Sequence, residues 1–251
     1  MRALFGVLSL CLFILGAFSA NVPRAAAVAS AVIQNDSMWI DSLGFAHVVG
    51  EVKNTGDVWL RFVKITGTLR DPTDAVVDVV LAYVLLDYLP PNEVAPFDMI
   101  ETNTAKAARV QSYSLALEFT EVAALSQKLF FFNVADSKNA FGMLEVVGEV
   151  ENQGDIPSIY TRVIVTFYDN NGKVIYVAVG YTNPDEIPVG ARGAFKIMVG
   201  SRERTLRIAH YSFVAESADS MFTSVPEAPY PLLVMAAALT LCLIVLRRKD
   251  F

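Results

Sequence analysis

The chain has 251 residues, is 54% hydrophobic, and carries 20 Lys and Arg against 26 Asp and Glu, a formal net charge of −6. Five basic residues (Arg2, Arg24, Arg247, Arg248 and Lys249) but only one acid, Asp250, fall at the two apolar ends, so residues 30–229 stand at about −10. That balance argues against nucleic acid and anionic lipid as partners, because both require basic patches. Both cysteines, Cys11 and Cys242, lie in the apolar ends, so each folding unit between them must stand on its own core without a disulfide.

Residues 1–29 read as a secretory signal: Arg2 supplies the positive charge, residues 3–18 are almost wholly apolar, and small residues follow near Ala20 and again near Ala27 to Ala29. Leu10 stands before Cys11 where lipid attachment would need a small residue. An uncleaved N-terminal anchor is the competing reading.

Two stretches then repeat. "VVGEVKNTGD" occupies residues 48–57 and "VVGEVENQGD" residues 146–155, an offset of 98. Held at that offset, residues 44–115 and 142–213 align without a gap and share 20 identities, among them Asp71/Asp169, Tyr83/Tyr181, Asp87/Asp185, Pro90/Pro188, Phe97/Phe195, Arg109/Arg207 and Tyr113/Tyr211. Chance does not hold register over that length, so the chain carries one unit twice. Its pattern is β. In "RVIVTFYD", Val163, Val165 and Phe167 point one way and Ile164, Thr166 and Tyr168 the other. "DNNG" at residues 169–172 is a hairpin turn, and Leu89-Pro90 and Ile187-Pro188 each begin another. Six or seven short strands per copy, without a helical period, predict an all-β fold of two tandem immunoglobulin-like β-sandwich domains, with a small barrel as the alternative.

Within the repeat, Asn54, Gly56 and Asp57, matched by Asn152, Gly154 and Asp155, are expected where a strand turns, with Gly supplying a left-handed conformation and Asn or Asp capping the backbone. Gly50 and Gly148 fall inside a strand, which predicts a bulge or a close backbone. Glu51, Asp57, Glu149 and Asp155 cluster near these turns, but no spacing resembles an oxygen-ligand cation loop.

Both copies resemble the FxLYD family of small extracytoplasmic β domains, whose signature joins a G-x-V-x-N-x-G strand to a later F/L-Y-D and a Pro-Gly turn before Phe. The second copy supplies Gly148, Val150 and Asn152, then Phe167-Tyr168-Asp169, Pro188, Gly190 and Phe195. The first keeps Gly50, Val52 and Asn54 but reads Leu69-Arg70-Asp71, with Asn92 in place of Gly190; Gly67 and Val165 stand where the family name has Phe. The resemblance implies a sandwich-like fold on exported or anchored proteins and no particular reaction.

Beyond the repeat, residues 224–231 form a Pro-rich spacer, and residues 230–246 give about 17 apolar residues, or ~25 Å of helix, near the lower limit for a membrane span. Arg247, Arg248 and Lys249 in the tail 247–251 would stay cytoplasmic. Val225-Pro226-Glu227-Ala228-Pro229, the apolar stretch and the basic cluster together resemble the PEF-type C-terminal sorting signals of archaea, with Ala228 where that family prefers Phe. This resemblance implies surface anchoring and processing by a sortase-like enzyme.

Chemistry-bearing motifs are sparse. His47 and His210 occupy non-equivalent positions, opposite Glu145 and Ser112, and no Gly-x-Ser-x-Gly, phosphate loop or His-Glu-x-x-His is present. No catalytic residue, metal or cofactor is assigned. Asp185-Glu186 reads as a solvated loop, "KLFFFN" at residues 128–133 as a core strand, and Asn35 as the only N-glycosylation acceptor. The expected domains are a first β-sandwich repeat at 30–124 and a second at 125–223. The expected function is a membrane-anchored, non-enzymatic module of the cell surface that meets envelope proteins or glycans. A small-ligand or metal carrier using a cleft between the copies, and a carboxylate-based surface hydrolase, are the alternatives.

Overall fold

A computed structural model describes residues 28–124 and 128–218. The signal, sorting motif 225–229, span 230–246 and basic tail lie outside the described residues, apart from Val28 and Ala29. Ala29 packs against the first core, and the Val28 carbonyl accepts the N–H of Asp57. Among the described residues no helix is long and apolar enough to cross a membrane.

The architecture is all-β, built of several open antiparallel sheets rather than a barrel. In the first repeat, β1 (Ala31–Ile40), β2 (Ala46–Asn54) and β6 (Val94–Glu101) form one sheet with β2 central. β3 (Trp59–Arg70) is flanked by β7 (Ser112–Val122) on one side and by β4 (Val76–Tyr83) and the short β5 (Tyr88–Leu89) on the other. Val48, Val52, Leu60, Ile65, Leu69, Leu89, Phe97 and Met99 fill the space between these sheets.

The second repeat rebuilds the same set. β8 (Leu129–Lys138), β9 (Leu144–Asn152) and β14 (Arg192–Met198) form one sheet; β11 (Arg162–Tyr168), β12 (Val174–Tyr181) and β15 (His210–Glu216) form the other. The segments β10 (Ser158–Ile159) and β13 (Glu186–Ile187) pair separately. Val146, Val150, Val163, Val165, Phe167, Ile187, Phe195 and Ile197 make its core. Two short helices, α1 (Thr104–Ala107) and α2 (Arg202–Arg207), occupy equivalent places and were not foreseen. Four and six residues are too few to show a helical period; their signal is the capping side chain of Asn103 or Ser201.

Backbone detail repeats as closely as the strands. Ten described residues take positive φ, and they fall into five pairs 98 apart: Asn35/Asn133, Gly44/Gly142, Phe62/Tyr160, Asp74/Gly172 and Asn92/Gly190. Gly56 and Gly154 are not among them, which corrects the expectation of a left-handed turn there. Gly56 is required instead by crowding, since a Cβ would lie 2.2 Å from the Val28 carbonyl oxygen. The bulge expected at Gly50 and Gly148 lies across from them, in β1 between Gln34 and Ser37 and in β8 between Phe132 and Ala135. What covers each glycine is an aromatic ring. Phe97 pairs with Gly50 and Phe195 with Gly148, each laying its ring over the bare backbone.

The two faces of β11 are both buried, unlike a strand of a free-standing sandwich. Val163, Val165 and Phe167 enter the second core, while Ile164 joins the first core and Tyr168 packs with Val49 and Val174. The outer face of β11–β12–β15 therefore rests on the outer face of β1–β2–β6. Ser37 Oγ donates to the Val174 carbonyl, and the Tyr168 hydroxyl donates to Glu51.

A methyl group at Gly148 would sit 2.7 Å from Phe195 Cζ and 3.1 Å from Val134 Cγ2. Overpacking of this kind costs about 1–3 kcal/mol, so Gly148→Ala should lower the thermal unfolding midpoint measured by circular dichroism. A midpoint equal to the parent's would show that the ring has room to withdraw.

Candidate functional site

The turn residues singled out in the sequence have structural employment. The buried Asn54 amide donates to the carbonyls of Val58 (2.8 Å) and Leu89 (3.0 Å), and its oxygen accepts the Gly56 N–H. Asn152 repeats all three bonds with Ile156, Ile187 and Gly154. Asp57 accepts the Val28 N–H, and Asp155 is exposed. Asn35 turns its amide onto Glu51 at 3.1 Å, as Asn133 does onto Glu149 at 2.8 Å. No three His, Cys, Asp or Glu side chains gather as metal ligands among the described residues. Within "KLFFFN", Phe131 packs on Phe195 and Phe213, while Phe130 is exposed and Phe132 lies beneath the Arg192 guanidinium.

Between the repeats runs a cleft of about 530 Å³, lined by Gln34, Asn35, Glu51, Tyr168, His210 and Ser212 among others. Its polar groups answer one another. Glu51 accepts from Gln34, Asn35 and Tyr168, and Tyr168 also meets Ser212 at 2.8 Å and stacks on the His210 ring. Burial and the Glu51 charge push the Tyr168 phenol up, so it stays protonated and donating. This arrangement is a clasp between repeats.

A second set of clefts, at the seam, is built differently. In each repeat the strand following the Asn turn breaks once. β3 shifts register between Arg61 and Lys64, and the second repeat parts into β10 and β11. The residue at the break is aromatic and left-handed, Phe62 at φ 51° and Tyr160 at φ 47°. A bulky side chain there costs about 1–2 kcal/mol, which Asn or Gly would avoid. The break throws each ring outward, 57% and 58% exposed. Beside it stands the tyrosine that ends the neighbouring strand, Tyr83 or Tyr181, 57% and 59% exposed. Phe62 and Tyr83 wall a cleft of about 470 Å³; Tyr160 and Tyr181 wall one of about 360 Å³; Asp87 lines both.

Charge floors the second cleft. Arg162 Nη2 lies 2.9 Å from Glu216 and 3.6 Å from Asp87. Glu216, 4% exposed, also accepts the N–H groups of Asp87 (2.9 Å) and Tyr88 (3.1 Å) from the first repeat. Burial raises its pKa, as does the Asp87 charge, against the pull of the Asp87 N–H and Arg162. The equivalent pair in the first repeat, Lys64 with Glu118 at 2.8 Å, is open to solvent. Both acids lie at or beyond the end of the compared segments, so the sequence reading missed the repeated ion pair. Its signal was a Lys-for-Arg exchange at 64/162 and identical Glu at 118/216. Of the exposed rings, Tyr83/Tyr181 stand out in the sequence as an identity, whereas Phe62/Tyr160 differ in letter and carry no such signal. In the first cleft the Arg61 guanidinium lies over the rings of Phe62 and Tyr88, at 4.5 and 4.8 Å.

One pair of carboxylates has divided affinities: burial and Asp78 raise Glu101, whereas Lys106 and Glu101 hold Asp78 at about 2. This pair sits at α1, where Asp78 meets the Lys106 ammonium at 2.6 Å, and lines none of the three clefts. His47 bridges Asp98 at 2.9 Å and Asp41 at 3.6 Å while stacking on Trp39. The opposite repeat adds Arg204, whose guanidinium lies 3.9 Å from the Trp39 ring.

No protein-family model matches the sequence, and no curated protein matches it. Among solved structures, the crystal structure of red sea bream transglutaminase matches over 78% of this chain and 29% of its own, at 10% identity and a TM-score of 0.25. The chain thus spans less than a third of that protein, and a likeness this distant says nothing about chemistry.

Burial lowers the His47 pKa, but hydrogen bonding and charge from Asp98 and Asp41 outweigh it, so the net shift is upward from 6.5. A raised folded-state pKa stabilises fully below the unfolded value, and that stabilisation is lost as pH rises through the folded value. Comparing parent with His47→Gln, the parent's advantage in thermal midpoint should be largest below about pH 6 and shrink through pH 7–9. An advantage that grows with pH would contradict a charged His47–Asp98 pair.

Proposed function

We propose that this chain is a surface-anchored, non-enzymatic binding module whose two tandem β-sandwich domains, of immunoglobulin-like character, hold a pair of aromatic clefts toward an envelope glycan. The signal-like start, the apolar stretch 230–246 and the PEF-like tail support export, a single C-terminal anchor and a sortase-like processing step. The FxLYD-like signature supports the domain reading.

The observation that carries the proposal is the duplicated strained aromatic. Phe62 and Tyr160 keep an unfavourable left-handed backbone and expose their rings beside Tyr83 and Tyr181. An exposed ring at that position offers folding little beyond the Arg61 contact over Phe62, and strained backbone kept at a surface clusters at functional sites. Open aromatic faces accept the C–H face of a pyranose, and the flanking Asp87 and Arg162 offer an acceptor and donors to its hydroxyls. Two adjoining copies of the same platform suit a repeating polymer. The inter-repeat cleft supports the carrier alternative less well, because its polar groups are spent on each other. The Asp78–Glu101 pair supports a hydrolase no better, lying outside the clefts.

Tyr160→Asn separates binding from folding, since Asn tolerates positive φ. The exported segment, residues 30–224, should bind purified envelope polysaccharide by isothermal calorimetry. Tyr160→Asn should weaken that binding by about tenfold, the scale of one lost aromatic contact, while the thermal midpoint stays level or rises. A midpoint that falls with binding untouched would make the ring a folding element and sink the proposal.

A further inference from the structure

The junction between the repeats joins two surfaces, and each repeat carries both. The receiving surface is the outer face of β1–β2–β6, centred on Val49 and Glu51. The docking surface is the outer face of β11–β12–β15, centred on Tyr168, Val174 and Val177. Each has a counterpart 98 residues away. The receiving surface recurs on β8–β9–β14 as Val147 and Glu149, and the docking surface on β3–β4–β7 as Arg70, Val76 and Val79. The junction uses one surface of each kind and leaves one of each kind open.

The open pair keeps the residues of the closed one. Val49/Val147, Glu51/Glu149, Val174/Val76 and Val177/Val79 are identical. Their burial is not: Val49 and Val174 are 0% exposed, whereas Val147 is 39% and Val76 54% exposed. The fifth central position changes in a way that preserves the contact. Where the Tyr168 hydroxyl donates to Glu51, the open surfaces set the Arg70 guanidinium against Glu149, opposite in charge. Among the described residues Arg70 now reaches the exposed Asp74 at 3.7 Å and its carbonyl, while Glu149 accepts from Asn133 at 2.8 Å and shares Arg192 at 3.2 Å. Exposed pairs of that kind bind weakly and yield to a better partner. An apolar β4, with Val76, Val79 and Leu81 more than half exposed at a sheet edge, is also a surface that isolated proteins rarely leave bare.

We propose that the open docking surface of one molecule seats on the open receiving surface of a second copy, so that molecules join head to tail as the repeats join within the chain. A contact between unlike surfaces is heterologous and propagates as a row instead of closing as a two-fold dimer. Its centre lies at the Val76 end of β4 and uses none of the aromatic-cleft residues, so the proposal does not depend on the glycan reading.

The test is sedimentation velocity of the full chain in mild detergent across rising concentration. The expected result is a weight-average size that climbs without settling at a dimer. Arg70→Glu or Glu149→Arg alone should weaken association at least about tenfold; both together in one chain should restore it. Mixing the two single variants in equal amounts should also restore it, because every contact in an alternating row then pairs opposite charges. Both positions are at the surface, and an unchanged thermal midpoint for each variant shows that the fold is intact. A single species at every concentration, a plateau at a closed dimer, or charge reversals without effect or rescue would each overturn the proposal.

Discussion

The structure depends on one sheet-on-sheet contact, the outer face of β11–β12–β15 lying on the outer face of β1–β2–β6. In an isolated sandwich both faces would be solvated. Here Val49 and Val174 are removed completely from water, each contributing about 1.5–3 kcal/mol by burial. Glu51 is drawn in with them and would be costly there without partners. Gln34, Asn35 and Tyr168 supply those partners from both sides of the seam. Removing the second repeat would return Val49 and Glu51 to water and forfeit that burial, so the two cores share one stabilising contact.

The same contact explains why identical residues behave differently in the two copies. Glu149 occupies the place of Glu51, accepts the equivalent asparagine at 2.8 Å, and remains at the surface with Arg192. Glu118 and Glu216 hold equivalent cations, but only Glu216 is buried, because the backbone of Asp87 and Tyr88 closes over it. Duplication copied the side chains, and stacking assigned them their environments. A repeat read in isolation contains no signal for that assignment, since the deciding atoms lie more than a hundred residues away.

Legibility follows from this. Turn chemistry is local, so Asp169 capping Asn171 and Lys173 within the "DNNG" turn could be foreseen from the letters, as could strand alternation and the 98-residue register. Six strands and the helix of the second repeat begin 98 residues after their counterparts. The glycines of the repeated motif were read as important for the wrong cause. Gly50 and Gly148 make room for a phenylalanine on the neighbouring strand, and Gly56 for the incoming chain at Val28, all set by contacts distant in sequence. Phe62 and Tyr160 were hidden for a different reason. Propensity disfavours an aromatic at positive φ, so no sequence rule nominates one, and only its recurrence in both repeats shows that the strain is maintained.

The seam also ties the aromatic clefts to the stacking of the repeats. Asp87 lines both clefts while its backbone N–H is held by Glu216, which in turn holds Arg162 beside Tyr181. The floor of the second cleft is thus assembled from both repeats, and neither repeat alone would present it. A buried carboxylate satisfied by two backbone donors and one guanidinium fixes its neighbours more tightly than an exposed ion pair can, so Glu216 holds Arg162 and the Asp87 backbone of the first repeat together beneath the second cleft. The duplicated unit thereby acquires at its junction a charged cleft floor that one repeat alone would not present.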